Sequence, residues 1–80
     1  MLAMATLSSI TKLSKEEKQL ISRIRSIRQD KNRKQEELSV SIGMNANYLG
    51  LVETYRRGLS LKALFKIAKE LGVKPARFFE

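Results

Sequence analysis

Residues 35–53 of this 80-residue chain carry its clearest fold signal. Two short apolar patterns with helical spacing occur there, and Gly43 separates them. Glycine adopts the left-handed backbone conformation that ends many helices at little cost. The segment therefore predicts one helix over residues 35–42 and a second from residue 46 to residue 53 or 54, with Asn45 as the N-cap of the second.

The side chains of this segment indicate how the two helices are used. Four apolar side chains are placed to hold the helices against a core: Leu38, Ile42, Leu49 and Val52. Ser39 is small, which allows the helices to cross closely. Two short helices joined by a three-residue turn that begins with glycine have the layout of a DNA-binding helix-turn-helix. An ordinary αα-hairpin is the alternative for the same pattern.

A longer helix is predicted before this segment. Ser14 and Glu17 have the spacing of a capping box, which starts a helix that runs to about Asp30. Its inward stripe is formed by apolar side chains with helical spacing: Leu20, Ile24 and Ile27. Residues 1–13 have no clear helix signal, and we expect them to form an N-terminal arm or a helix extension.

Two further helices are predicted after the segment. Ser60 is the expected N-cap of a helix over residues 61–71, which Gly72 ends. Its apolar stripe consists of Leu61, Leu64, Ile67, Ala68 and Leu71. Pro75 is suited to the first turn of a short helix over residues 75–79. Residues 14–80 are therefore expected to form one compact, all-α domain of five helices.

Charge and missing residue types narrow the possible functions. Sixteen Lys and Arg against eight Asp and Glu give a net charge of +8, which favours a polyanionic partner such as nucleic acid. The chain has no cysteine and no histidine, so the commonest general base and the commonest metal ligands are absent. We therefore expect neither an enzyme nor a metal site. Without a secretory signal or a membrane-spanning stretch, we expect a cytoplasmic protein.

Residues 20–79 resemble the phage-repressor-like helix-turn-helix family, which has the lambda-repressor fold. The resemblance is carried by Ile27-Arg28, Gln35-Glu36-Glu37-Leu38, Gly43, Val52-Glu53 and the stretch IAKELGV at residues 67–73. Within the family, the chain is most similar to the controller proteins of restriction–modification systems. That closer resemblance is carried by Asn47-Tyr48-Leu49, Val52-Glu53 and Arg57-Gly58-Leu59-Ser60-Leu61.

The resemblance implies a homodimer on double-stranded DNA, with the helix after Gly43 in the major groove and half-sites about one helical turn apart. The residues that would face base edges are Ala46, Asn47, Tyr48 and Leu51, although Tyr48 could instead pack on the helix before it. The residues that would contact phosphates are Arg33, Lys34, Gln35, Arg56 and Arg57. The resemblance also implies a buried structural ion pair between Arg28 and Glu53.

Several positions depart from the usual residues of the family. Lys34 stands where a Ser or Thr helix cap is usual, and Ser39 replaces an alanine. Ala46 replaces the arginine or glutamine that often reads guanine, so one strong base contact is missing. The residues after Glu53 read Thr54-Tyr55 where relatives usually have Arg-Gly.

The C-terminal aromatic pair suggests how the chain dimerises. Phe78 and Phe79 are adjacent on a short helix near Val73, and both rings cannot point into one small core. We therefore expect one ring to pack inward and the other to enter a dimer interface, with Val73 beside them. The alternative is that both rings lie in the core of the monomer.

Together these features predict a sequence-specific transcriptional regulator that binds a pseudo-palindromic operator and controls its own operon. No cofactor is expected, and no small-molecule effector is evident. A phage-type repressor or an antitoxin would use the same DNA-binding chemistry in another context. A protein–protein adaptor that kept the fold without specific DNA contacts is the alternative from a different class, because Ala46 and Leu51 are apolar.

Overall fold

The computed structural model describes residues 12–80, and within them it contains four α-helices, a terminal 3₁₀-helix and no strand. The α-helices are α1 (Lys15–Asp30), α2 (Gln35–Ser41), α3 (Tyr48–Glu53) and α4 (Leu61–Leu71). The fifth predicted helix, Pro75–Phe79, is a 3₁₀-helix. The expected arm falls almost wholly at residues 1–11, outside the described residues, and stays a prediction.

The start of α1 and both ends of α4 follow the capping signals of the sequence. The Ser14 hydroxyl accepts from the backbone N–H of Glu17 at 3.1 Å, and the Glu17 carboxylate accepts from the N–H of Ser14 at 2.9 Å. The Ser60 hydroxyl caps α4 by accepting from the N–H of Ala63 at 3.1 Å. Gly72 ends α4 with a φ of +70°. These contacts confirm the predicted caps. The caps could be predicted because each depends only on residues close in sequence.

All four α-helices and the 3₁₀-helix contribute to one hydrophobic core. Its buried apolar residues are Ile21, Ile24, Ile27, Leu38, Ile42, Tyr48, Leu49, Val52, Ala63, Leu64, Ile67, Ala68, Leu71 and Phe78. Leu13, Leu20, Met44, Leu59 and Val73 pack against its edge. The C-terminal 3₁₀-helix packs against α1 and α4, and its Phe78 lies in the core between them and the other helices.

One predicted core position, Leu61, is wrong, and another, Leu20, lies at the edge of the core rather than inside it. Leu61 is 66% exposed, because it lies about 90° around the helix from the centre of the buried stripe of α4. Leu20 is only half-buried, and its neighbour Ile21 lies in the core instead. The buried face of α1 includes Ile21 and Arg28 besides Ile24 and Ile27, so it is wider than the predicted stripe.

Candidate nucleic-acid interface

Helices α2 and α3 pack against each other across a turn that contains Gly43. Gly43 has a φ of +83°, the left-handed conformation that its sequence position predicts. Its N–H donates to the carbonyl of Val40 at 2.9 Å, and the N–H of Met44 donates to the carbonyl of Ser39 at 2.9 Å. These bonds end α2 and turn the chain toward α3, so the described residues contain the predicted helix-turn-helix.

The start of α3 differs from the prediction. The helix begins at Tyr48, two residues later than expected, and its N-cap is Asn47 rather than Asn45. The Asn45 side chain accepts from the N–H of Asn47 at 3.3 Å and so stabilises the turn before the helix. The Asn47 side chain makes no capping hydrogen bond. It is exposed, and its amide is therefore free to contact another molecule.

The expected base-reading residues do not all reach the surface. Ala46 and Asn47 are exposed and Leu51 is half-buried, as an outward face requires. Tyr48 is only 1% exposed, so the expected contact between its ring and DNA is wrong for this structure. Tyr48 lies about 40° from Val52 around the helix axis, which places both side chains on the inward face of α3.

A shallow depression of about 320 Å³ lies between the start of α2 and the outward face of α3. It is lined by Gln35, Glu36, Ala46, Asn47, Gly50 and Leu51. Sequence reasoning missed Glu36 and Gly50 in this set. Gly50 lies three residues after Asn47, on the same side of α3, and this spacing could have indicated it.

Arg28 and Glu53 form the buried ion pair that the family resemblance implies. The guanidinium donates from Nε and Nη2 to the two carboxylate oxygens, at 2.8 and 2.9 Å. The two side chains are 10% and 2% exposed. Arg28 also donates from Nη1 to the carbonyl of Arg33 at 2.7 Å. The pair therefore joins α1, the end of α3 and the loop before α2.

Gln35 belongs to the same network. Its Nε2 donates to Oε1 of Glu53 at 2.9 Å, so in this structure one amide proton points to a protein partner rather than to solvent. A side-chain amide has a second N–H and a carbonyl oxygen. If Gln35 contacts a phosphate as expected, this second N–H is the group that can donate to it.

The residues expected to bind phosphates differ in the contacts that they already make within the protein. Lys34 and Arg56 are exposed, and neither takes part in an ion pair within residues 12–80. Arg57 stacks over the Tyr48 ring with its guanidinium carbon 4.7 Å from the ring centre. Arg33 lies 3.6 Å from the carboxylate of Glu70 and donates to its carbonyl at 3.1 Å. Arg33 would have to release Glu70 to reach a phosphate.

The turn after α3 follows the path that a glycine would take. Tyr55 has a φ of +63°, a conformation that is unusual for a bulky residue. Its hydroxyl lies 2.7 Å from the hydroxyl of Ser22, and the ammonium of Lys18 lies 5.6 Å from the ring centre. Tyr55 has no intrinsic preference for this conformation. Its contacts with Ser22 and Lys18 of α1 stabilise the turn instead.

The C-terminal aromatic residues point in opposite directions. Phe78 is 2% exposed and lies in the core, whereas Phe79 is 66% exposed. The expectation of one inward and one outward ring is confirmed, and Phe78 is removed from the expected dimer interface because it fills the monomer core. Val73 is half-buried. Phe79 borders a groove of about 930 Å³ between α1 and the 3₁₀-helix.

In the part of the chain that the structure describes, no group of three acidic, cysteine or histidine side chains is placed to hold a metal ion. Across residues 12–80, no helix combines the length and the apolar character that crossing a membrane requires.

Known proteins resemble the chain in sequence and structure. The family model described as Helix-turn-helix matches residues 24–78. The restriction-modification controller protein C.AhdI from Aeromonas hydrophila is 33% identical, with a TM-score of 0.70 over 76% of this chain and 92% of that chain. The wild-type controller protein C.Esp1396I is 30% identical, with a TM-score of 0.75 over 84% and 87%.

A hypothetical transcription factor, NHTF from Neisseria, is 29% identical, with a TM-score of 0.73 over 86% of this chain and 83% of that chain. No functionally curated protein matches the chain significantly. Two of these solved relatives are thus named as controller proteins and one as a transcription factor, and each match covers more than three quarters of this chain.

Proposed function

The chain belongs to the helix-turn-helix family and is a DNA-binding transcriptional regulator, and we propose that it acts as a homodimer on a pseudo-palindromic operator of its own operon. The two controller proteins it resembles suggest this context. A cytoplasmic location, an absence of enzymatic activity and independence from a small-molecule effector are parts of the same proposal.

The observation that carries the proposal is the outward face of α3. Leu49 and Val52 anchor the inward face in the core, while Ala46 and Asn47 stay exposed beside the depression. The Asn47 amide can pair with the N6 and N7 atoms of adenine through two hydrogen bonds. Ala46 and Leu51 offer apolar contact to a thymine methyl group.

The charges around this face suit the DNA backbone. Lys34 precedes α2, and Arg56 and Arg57 follow α3, so positive charge lies at both ends of the motif. Such residues contact phosphates and set the position of the protein on the duplex without reading sequence. Because few base-reading side chains are available, we expect two-fold symmetry and DNA shape to supply much of the specificity.

The exposed Phe79 favours a second copy of the chain as the partner. The exposed ring of Phe79 and the half-buried side chain of Val73 both offer apolar surface to a two-fold interface. A dimer would also carry two copies of α3, so it could contact two half-sites at once. The outer face of the C-terminal helix is therefore our proposed dimer interface.

The proposal is tested with duplexes that the protein selects from a random-sequence pool. The affinity for the selected duplex should exceed the affinity for unrelated DNA by about 10³-fold or more. Neutralising about 6–10 phosphates should give a slope of about −5 to −9 in log affinity against log salt concentration. Affinity that does not depend on salt or sequence would reject this function and favour the protein–protein adaptor. An inverted repeat in the selected duplex would support the symmetric operator.

A further inference from the structure

We propose that Glu53 is a positioning residue for DNA binding: from inside the core it orients the amide of Gln35 at the DNA-facing surface. This inference depends on the proposed function, because it assigns a role within the same interface. The hydrogen bond of 2.9 Å between Gln35 Nε2 and Glu53 Oε1 is the contact that carries it.

The Glu53 carboxylate is itself held rigidly. Its two oxygens accept from Nη2 and Nε of Arg28, and Arg28 is anchored in turn to the carbonyl of Arg33. The Glu53 side chain is only 2% exposed, so water does not compete for these bonds. Charge-assisted hydrogen bonds with this paired geometry are strong and directional. The carboxylate therefore presents Oε1 to Gln35 in one fixed direction.

A fixed acceptor decides which way the Gln35 amide faces. An amide rotated by half a turn would place its carbonyl oxygen against the carboxylate oxygen, and two acceptors repel each other. The observed orientation leaves one N–H of Gln35 without this partner. It also places the Gln35 carbonyl oxygen beside Gly50, where a Cβ atom would come within 3.4 Å of it.

The oriented amide lies where DNA is expected to bind. Gln35 lines the depression together with Ala46, Asn47 and Leu51, the three exposed or half-buried residues expected to read bases. Its remaining N–H can donate to a phosphate oxygen, which only accepts hydrogen bonds. Because the amide is oriented before DNA arrives, less side-chain freedom is lost on binding. Arg28 and Glu53 would then serve DNA recognition as well as stability.

A double-mutant cycle on DNA binding separates positioning from a purely structural role. In Glu53→Gln, the single amide oxygen must serve Arg28 and Gln35 in place of two carboxylate oxygens. Gln35→Met keeps the length of the side chain but removes its amide. Affinities for the duplex selected by the wild-type protein are measured at a temperature at which circular dichroism shows all four proteins folded.

If Glu53 acts through Gln35, Glu53→Gln weakens binding about tenfold in the wild-type background and less than twofold in Gln35→Met. Equal fold losses in the two backgrounds would overturn the proposal, because a structural defect does not need the Gln35 amide. Glu16→Gln is the matched control, since it removes the same charge from an exposed position on α1. It should change the affinity by less than twofold.

A second measurement applies even if Glu53→Gln does not fold. In the NMR spectrum of the wild-type protein without DNA, one Gln35 amide proton should be shifted downfield and exchange slowly with solvent. The exposed amide of Gln29 provides the reference. Two Gln35 protons that behave like those of Gln29 would contradict the proposal. If the wild type shows no sequence preference, the proposed function fails separately, whatever the amide signals show.

Discussion

The hydroxyl of Ser39 in α2 accepts a hydrogen bond of 3.0 Å from the backbone N–H of Leu49 in α3. Leu49 lies in the first turn of α3, where backbone N–H groups have no partner within the helix. Ser39 donates its own proton to the carbonyl of Gln35 at 2.7 Å. The sequence indicated only that residue 39 must be small, whereas the structure shows that its hydroxyl, on α2, caps the start of α3.

Replacing Ser39 with alanine should reduce stability. Ser39→Ala leaves the buried N–H of Leu49 without a partner, and we expect a loss of about 1–2 kcal/mol in the free energy of unfolding. Urea denaturation followed by circular dichroism measures it. Ser41→Ala is the matched control, because Ser41 is exposed and bonds only to a carbonyl of its own helix. If both variants unfold at the same urea concentration, the capping role of Ser39 is wrong.

Loss of Arg28 should have a larger effect. Arg28→Ala leaves the carboxylate of Glu53 buried without its countercharge, which is expected to cost about 3–5 kcal/mol. Arg25→Ala removes the same side chain from an exposed position on α1 and should change stability little. The free energies come from urea denaturation of both variants. A loss below about 1 kcal/mol for Arg28→Ala would contradict this prediction.

At Lys34 we expect a substitution to have opposite effects on stability and on DNA binding. As the N-cap of α2 it makes no side-chain hydrogen bond, although Glu37 is placed to complete a capping box. Lys34→Ser should therefore stabilise the protein by about 0.5–1 kcal/mol. The same change should weaken DNA binding and reduce the salt slope by about one. Lys31→Ser, in the same loop, is the control for the stability change, and an unchanged melting temperature for Lys34→Ser would argue against the capping effect.

Asn47 should contribute specificity rather than general affinity. Asn47→Ala removes the amide that can pair with adenine, so binding to the selected duplex should weaken by about 1–3 kcal/mol. Affinity for unrelated DNA should stay nearly unchanged, because phosphate contacts supply it. Fluorescence anisotropy with both duplexes measures the two effects. An equal loss on both would show that Asn47 does not read sequence.

The two terminal phenylalanines should affect different properties. Phe79→Glu places a charge on the exposed ring position, so we expect loss of self-association in sedimentation experiments while the fold remains. Phe78→Ala opens a cavity in the core and should cost about 3–5 kcal/mol of stability. If the wild-type protein is a strict monomer at high micromolar concentration, the dimer interface at Phe79 is wrong.

Much of the fold could be predicted because its signals are local. The capping serines, the apolar spacing and the glycine after α2 each act within a few residues, so the helices and the helix-turn-helix could be assigned from sequence alone. Inward and outward positions were harder to assign. Leu61 was expected to be buried but is exposed, and Tyr48 was expected to face outward but is buried. Only the rotation of each helix against its neighbours decides which face is buried.

Local patterns were enough to assign this protein to its class, an all-α, basic chain with a helix-turn-helix, because periodicity and caps depend on the order of neighbouring residues. The packing of the helices is what buries Phe78, exposes Phe79 and lets Gln35 donate to Glu53. That bond joins residues 18 positions apart, and the Arg28–Glu53 bonds span 25. Such contacts depend on how helices pack, which no local pattern encodes.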